Sequence, residues 1–233
     1  MSLDEERTRR LRQHKQQQRD ALRERILEAS RGILRSEGIG SLSMRKLADA
    51  IDYSPAALYL HFRGRGEIAR ALREEGHAQL RAAVVPHVGI PDPAARLKAI
   101  GRAYVEFGLA EPEMYRLMFM ETGDAAGSAG VASSRDSAAM LSLFGEAFSA
   151  LKANAPAACA QALWANLHGI VALELSGAAP PAAPVAALVE LSLDAWLAAG
   201  SGLAAGSGLA AGSGLAAGSG LAAGPGLAAG SGD

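Results

Sequence analysis

Ten residues at positions 53–62, YSPAALYLHF, bring together hydroxyl, imidazole and aromatic groups in a chain with few aromatic side chains. Tyr53, Tyr59 and Phe62 belong to a total of only five Phe, four Tyr and two Trp, and His61 lies among them. Tyrosine hydroxyls and imidazole N–H groups can donate hydrogen bonds to phosphate oxygens. Tyr59 and His61 are therefore candidates for phosphate contacts, whereas Tyr53 and Phe62 are more typical of core or turn packing.

The start of this stretch favours a helix whose first turn can bind an anion. Ser54 is a good N-cap residue, and Pro55 loses no hydrogen bond at the first helical position. The free N–H groups and the positive end of the helix dipole suit a phosphate. Ala56 and Ala57 allow a close approach and could contact a thymine methyl group. With the neighbouring serine and cations, the candidate DNA contacts are Ser43, Arg45, Ser54, Pro55, Ala56, Ala57, Tyr59, His61, Arg63 and Arg65.

A second short helix precedes this one and is separated from it by a tight turn. Ser43 can cap the segment MRKLADAI, whose apolar positions recur at helical spacing. Asp52 occupies the turn, where a left-handed conformation is often required and Asp is tolerated. We expect Leu58 and Phe62 to face inward, and Ala48 to lie where the two helices pack closely. Helix, tight turn and helix together predict a helix-turn-helix, whose second helix enters the DNA major groove.

The run LSMRKLADAIDYSPAALYLHFRGRGEIARAL at 42–72 resembles the N-terminal DNA-binding domain of TetR/AcrR-type transcriptional regulators. The matching positions are Leu47, Ala48, Ser54, Leu58, Tyr59, His61, Phe62, Glu67 and Ile68. Asp52 stands where the family usually has Gly, and Tyr53 where it usually has Val. The resemblance covers about residues 20–75 and implies that Tyr59 and His61 contact the DNA backbone.

Two segments of the second half, RLKAIGRAYVEFGLAEPEMYRLMF and WANLHGIVALE, resemble the ligand-sensing domain of a TetR subgroup marked by Trp-x-x-x-His-Gly. Trp164 and His168 are four residues apart and share a helix face, and we expect Gly169 to permit the close approach of another helix. The candidate effector pocket comprises Tyr104, Phe107, Met114, Met118, Trp164 and His168. The alternative is an ordinary core, with a hydrogen-bonded buried His beside a Trp and methionines at helical spacing.

Composition excludes several function classes. Cys159 is the only cysteine, so no intramolecular disulfide can form, and the N-terminus has no apolar signal-peptide region. The five histidines show no metal-binding spacing, and no G-x-S-x-G or phosphate-binding glycine loop is present. We therefore expect a cytoplasmic protein without a cofactor, metal site, membrane span or enzyme activity. Residues 1–81 have 17 Lys and Arg against 12 Asp and Glu, which leaves 6 against 12 in the rest and makes the front half basic.

The chain shows no strand-like alternation, so an all-α fold is predicted, with a three-helix DNA-binding domain followed by a helical effector-binding and dimerisation domain. The expected divisions are a charged flexible arm at 1–19, the helix-turn-helix domain at 20–85, the helical domain at 86–199 and a GSGLAA repeat tail at 200–233. The arm either enters a minor groove or is a solvated tail. A Gly/Ala/Ser loop is expected at 121–134. The tail is expected to be a disordered linker, with membrane or partner binding as the alternatives.

The leading hypothesis is a regulator of operator DNA, and the family resemblance supplies its details. It implies a homodimer formed by helices 156–176 and 184–199 as a four-helix bundle. Two recognition helices about 34–36 Å apart would bind a near-palindromic operator. A small-molecule effector in the helical domain would release this repressor from DNA. The alternative function is a helical protein-interaction module whose helix-turn-helix no longer binds DNA.

Overall fold

Helices account for almost the whole of the part of the chain that the structure describes, and no strand occurs there. The structure, a computed structural model, describes residues 3–121, 126–178 and 183–202. Its elements are α1 (Leu3–Glu37), a 3₁₀ turn (Ile39–Ser41), α2 (Met44–Ile51), α3 (Pro55–Tyr59), α4 (Arg65–Val88), α5 (Pro93–Ala110), α6 (Pro112–Phe119), α7 (Ala126–Ala150), α8 (Pro156–Ser176) and α9 (Val185–Gly202). The prediction of an all-α fold is confirmed.

Local sequence signals define many helix starts. The Asp92 carboxylate accepts a hydrogen bond from the Ala95 N–H at 2.8 Å and so caps α5. A proline occupies the first helical position of α3, α5, α6 and α8, where the missing N–H removes no hydrogen bond. Gly177 has φ 66° and ends α8 in the left-handed conformation that glycine adopts without strain.

Two segments expected to be irregular are helical. Residues 3–19 form the first half of α1 because Arg, Gln, Lys and Leu favour helix and no Gly or Pro interrupts them. Residues 126–134, expected to lie in a loop, begin α7, whereas 122–125 lie outside the described residues. Of the tail at 200–233, only residues 200–202 are described, and they end α9. Pro86, the first residue of the expected helical domain at 86–199, lies in the last turn of α4.

Helix α5 lies at the centre of the second half, since it packs against α4, α6, α7, α8 and α9. Two of its glycines permit this. A Cβ atom on Gly101 would lie 2.7 Å from Leu193 of α9, and one on Gly108 would lie 2.7 Å from Val171 of α8. Within this chain no helix closely approaches Gly169, because a Cβ atom there would meet nothing within 4 Å among the described residues.

The buried core runs through both halves of the chain. Ile26, Leu47 and Leu58 are fully buried in the first half, and Phe144 and Leu163 in the second. Among the described residues, no helix combines the length and apolar character needed to cross a membrane.

Candidate nucleic-acid interface and helical-core site

The helix-turn-helix is fixed by two serine caps and one left-handed residue. The Ser43 hydroxyl accepts a hydrogen bond from the Lys46 N–H at 3.2 Å, and the Ser54 hydroxyl accepts one from the Ala57 N–H at 3.2 Å. Asp52 ends α2 with φ 58° and ψ 50°, which turns the chain toward α3. The capping and the turn expected from sequence are therefore present. Helix α3 ends at Tyr59, three residues before the end of the stretch 53–62, and the chain continues as a tight turn in which the His61 N–H donates to the Leu58 carbonyl at 2.9 Å.

The back of α3 is buried and its front is open. Leu58 and Phe62 are 0% and 1% exposed, as expected for residues that hold the helix against the domain. The structure leaves most of the candidate DNA contacts at the surface: Ser43, Arg45, Ser54, Pro55, Ala56, Tyr59, Arg63 and Arg65 are exposed, and Ala57 and His61 are half-buried. Tyr59 is 55% exposed.

Two arginines of α1 support this element and were missed from the sequence. The Arg23 guanidinium lies 4.1 Å from the centre of the Phe62 ring and donates a hydrogen bond to the His61 carbonyl at 3.1 Å. Arg25 lies 5.3 Å from the Tyr53 ring centre and donates to the Ile51 carbonyl at 3.3 Å. Both pairs are cation–π contacts combined with a hydrogen bond. Tyr53 therefore packs at the turn, as expected.

The cations around α3 have different roles. The Arg65 guanidinium donates to the Ile39 carbonyl at 2.9 Å and so positions the 3₁₀ turn. Lys46 forms an ion pair with Glu37. Among the residues whose side chains are described, no carboxylate pairs with the side chain of Arg45 or Arg63. These two arginines therefore remain available to neutralise phosphate charge.

His61 faces a positively charged surface. Burial, and then the charges of Arg19 and Arg23, lower the pKa of His61. The imidazole is accordingly neutral near pH 7 and retains one N–H that can donate a hydrogen bond.

A second group of polar and aromatic side chains joins α5, α6 and α8. The Tyr104 and Tyr115 hydroxyls lie 2.8 Å apart, and the Tyr115 hydroxyl lies 2.7 Å from Nδ1 of His168. Phe119 packs at the centre, with its ring 4.8 Å from Tyr115, 5.8 Å from His168 and 6.3 Å from Trp164. We call Tyr104, Tyr115, Phe119, Trp164 and His168 the aromatic cluster.

The aromatic cluster holds its titratable groups in their neutral forms. Burial raises the pKa of Tyr104 to about 12, against smaller opposing effects of Tyr115 and Trp164. Burial likewise raises the pKa of Tyr115, and it lowers the pKa of His168. The Trp164 indole N–H is buried beside these groups and has no hydrogen bond of good geometry among the described residues. The cluster thus offers neutral donors and acceptors.

The candidate pocket residues do not all meet. Tyr104, Trp164 and His168 belong to the aromatic cluster, which also includes Tyr115 and Phe119, two residues missed from the sequence although they lie four apart on α6. Met114 and Met118 instead face α4, because a Cβ atom on Gly76 would lie 2.8 and 2.6 Å from their sulfur atoms. Phe107 is buried in the core at 8% exposure.

Helix α6 connects the aromatic cluster to the first half of the chain. The Arg73 side chain of α4 donates to the Leu117 carbonyl of α6 at 2.9 Å. Arg116 of α6 donates to the Leu175 carbonyl of α8. Arg35 of α1 lies 3.8 Å from the Glu111 carboxylate, at the start of α6. Helix α6 and its first turn therefore have side-chain contacts with α1, α4 and α8.

Metal ligation finds no support in the described part of the chain, where no group of three His, Cys, Asp or Glu side chains is placed to hold an ion.

Solved structures with the same fold include several bacterial proteins. A protein with unknown function from Rhodococcus sp. RHA1 is 30% identical, with a TM-score of 0.65 over 76% of this chain and 93% of that one. The fatty acid degradation regulator FadR from Bacillus halodurans is 14% identical, with a TM-score of 0.60 over 75% and 94%. AibR, solved in complex with isovaleryl coenzyme A and operator DNA, is 19% identical, with a TM-score of 0.54 over 76% and 96%. No curated protein matches the sequence significantly.

Two family models match successive parts of the chain. Residues 26–72, which contain α2 and α3, match the model of bacterial regulatory proteins of the tetR family. Residues 97–196, which contain all five members of the aromatic cluster, match the model of the tetracyclin repressor-like C-terminal domain. Since both models describe the same kind of protein and fit the observed helix-turn-helix and helical domain, the chain belongs to the TetR family and is a DNA-binding regulator of transcription.

Proposed function

We propose that the protein is a homodimeric repressor that binds a near-palindromic operator and leaves it when a small molecule binds the helical domain. The observation that carries this proposal is α6, which contributes Tyr115 and Phe119 to the aromatic cluster and contacts α1 and α4 of the DNA-binding half. A ligand that moves α6 would reposition α3, the helix proposed to enter the major groove. The divisions at 20–85 and 86–199 serve in this proposal as the DNA-binding and the sensing and dimerising parts.

The proposed DNA contacts combine helix geometry with exposure. Helix α3 presents small side chains at Ala56 and Ala57 and the exposed side chain of Tyr59. Arg45 and Arg63 supply positive charge on either side. Together they suit a major groove flanked by phosphates.

The proposed dimer uses α8 and α9. Leu173 on α8 is 52% exposed and Leu191 on α9 is 69% exposed, and Leu188 adds further apolar surface. Gly169 is open to a neighbour on the same helix pair. Apolar faces of two antiparallel helices pair with a second copy to form a four-helix bundle, which covers these side chains.

The proposed effector is an uncharged or largely apolar small molecule that bears a hydrogen-bond acceptor. The aromatic cluster contains no side chain that is charged near pH 7, and the buried Trp164 N–H makes no hydrogen bond of good geometry among the described residues. AibR, a fold relative, was solved with isovaleryl coenzyme A, whose acyl group is apolar but whose phosphates are charged, so only the acyl group resembles the effector proposed for this chain. Membership of the Trp-x-x-x-His-Gly subgroup stays a prediction. The effector can shift DNA affinity only by its own preference for one conformation.

DNA binding tests the function directly. Tyr59→Phe combined with Arg45→Ala removes one hydroxyl and one charge that make no contact essential to the fold. We expect operator affinity to fall by at least about tenfold, since a hydrogen bond to a charged phosphate contributes roughly 1.5–3 kcal/mol. The probe is the duplex that the unmodified protein selects from a randomised DNA library, and fluorescence anisotropy measures the affinity.

Leu60→Ala is the matched control, because Leu60 is 75% exposed beside Tyr59 and has no polar group. The operator affinity of the Leu60→Ala variant should stay close to that of the unmodified protein. If the double variant keeps its affinity and salt dependence, the alternative function of a protein-interaction module is favoured instead.

A further inference from the structure

The first half of α1 carries a dense positive charge that the helix-turn-helix does not explain. Residues 7–19 contain six Lys and Arg and no Asp or Glu. Residues 7–21 are all exposed, and the helix begins to be covered only at Leu22 and Arg23. This part of α1 therefore projects beyond the domain that it belongs to.

Most of these cations form a stripe. Arg9, Arg12, Lys15, Arg19 and Arg23 follow one another at spacings of three, three, four and four residues. At about 100° per residue they lie within about 120° of the helix circumference. Arg7 and Arg10 lie outside this arc, and Arg10 is paired with Glu6 at 2.7 Å. Among the side chains that the structure describes, no carboxylate lies within ion-pair distance of the first four members of the stripe.

The C-terminal end of the stripe lies beside the end of α3. Arg23 touches Phe62 and the His61 carbonyl, directly after α3. Arg19 lies near enough to His61 to lower its pKa. From Arg19 to Arg9 the helix then extends by roughly 15 Å at 1.5 Å per residue. The face of α1 that carries the stripe is thus the face next to the end of α3.

We propose that Arg9, Arg12, Lys15 and Arg19 of the stripe bind the phosphate backbone of duplex DNA that flanks the operator half-site, whereas Arg23 anchors the stripe beside α3 through Phe62 and the His61 carbonyl. This inference rests on the proposed DNA-binding function and extends its contact surface beyond the helix-turn-helix. A helix with side chains is about 10–12 Å wide, whereas the minor groove is about 6 Å wide, so the stripe binds along phosphates rather than inside that groove.

A membrane surface fits the same charges poorly. An interfacial helix needs a broad apolar face opposite its cations, and Leu11 is the only large apolar residue in 7–19. Polyanion binding without an apolar face is instead typical of backbone contacts to nucleic acid.

The test compares two double variants of the full chain. Arg9→Gln with Arg12→Gln removes two charges from the stripe. Arg7→Gln with Arg10→Gln removes two charges at nearly the same height of the helix but outside the stripe. Each protein is titrated with its library-selected operator and with a random-sequence duplex over a series of salt concentrations.

Loss of each phosphate contact should make the slope of log affinity against log salt shallower by about 0.9. A dimer that loses two contacts in each subunit should therefore change its slope by up to about 3.6 in the stripe variant, on both duplexes. The control variant should keep the slope of the unmodified protein. Circular dichroism should show equal helix content in both variants, since glutamine favours helix nearly as well as arginine.

The outcomes separate this inference from the function on which it rests. If the unmodified protein binds no DNA, the proposed function fails and the stripe proposal fails with it. If it binds and the two double variants have equal slopes, the stripe proposal alone is overturned. A hydroxyl-radical footprint that narrows only in the stripe variant would support flanking contacts.

Discussion

At the scale of single residues, the hydrogen bonds from Tyr104 through Tyr115 to His168 couple three helices by neutral groups. The Tyr115 hydroxyl either donates to an unprotonated Nδ1 of His168 or accepts from a protonated one, so protonation of Nδ1 would reverse the direction of this hydrogen bond. Protonation would also place a charge among aromatic rings, where burial already disfavours it.

Stability should therefore depend on pH through His168. Its folded-state pKa is lowered, so the unfolded chain binds more protons near and below its ordinary value of about 6.5. The stabilising contribution is complete above that value and is lost as the pH falls below it. We expect the free energy of unfolding in urea to decrease between about pH 7.5 and 5.5, and His168→Gln to flatten this decrease.

His61→Gln is the comparison variant for this pH profile, because the pKa of His61 is lowered as well. If His61→Gln flattens the profile and His168→Gln leaves it unchanged, burial in the aromatic cluster is not the cause.

At the scale of helices, the glycines of α5 determine how closely its neighbours pack. A Cβ atom on Gly108 would lie 2.7 Å from Val171 and 3.0 Å from the Tyr115 ring. These contacts are shorter than packed side chains tolerate, so either α8 or α6 must shift.

Gly108→Ala should accordingly destabilise the protein by about 1–3 kcal/mol, despite the better helix propensity of alanine. Urea unfolding followed by circular dichroism measures the change. Gly145→Ala in α7 is the control, because nothing lies within 4 Å of its added methyl group among the described residues, and it should stabilise the protein by up to about 1 kcal/mol. Equal effects of the two substitutions would contradict the packing argument.

At the scales of residues and helices, the sequence predicts those features whose interacting residues lie close together along the chain. Ser43 and Ser54 each act on an N–H three residues away, so the helix-turn-helix follows from spacing alone. The contact of Arg23 with the His61 carbonyl joins residues 38 apart, and no pattern within either segment indicates it. Residues 3–19 have strong helix propensity, but their charge suggested a solvated arm. Phe119 was overlooked because its role depends on rings supplied by α5 and α8.

At the scale of the whole molecule, the exposed leucines of α8 and α9 determine the expected assembly. Leu191→Arg places a charge where the second copy should pack. We expect a shift from dimer to monomer in light scattering, with a loss of at least about 2 kcal/mol of association free energy if Leu191 is central. Operator affinity should fall in parallel, because one monomer binds only one half-site.

Val85→Arg is the control for this substitution. Val85 is a 60% exposed aliphatic residue on α4, outside α8 and α9. Its variant should remain a dimer, and a monomer from this variant, or a dimer from Leu191→Arg, would place the interface elsewhere.

The contacts of α6 have a consequence for hybrid regulators, in which the DNA-binding half of one protein is grafted onto the sensor of another. A graft joined after α4 would leave Arg73 and Arg35 without the Leu117 carbonyl and the Glu111 carboxylate that they meet in this chain. The transplanted sensor would then lack these two contacts with the DNA-binding half. A join placed after residue 121 keeps α6 with its own α1 and α4. The new boundary then lies between α5 of this chain and the α8 equivalent of the other sensor, whose contacts would have to match.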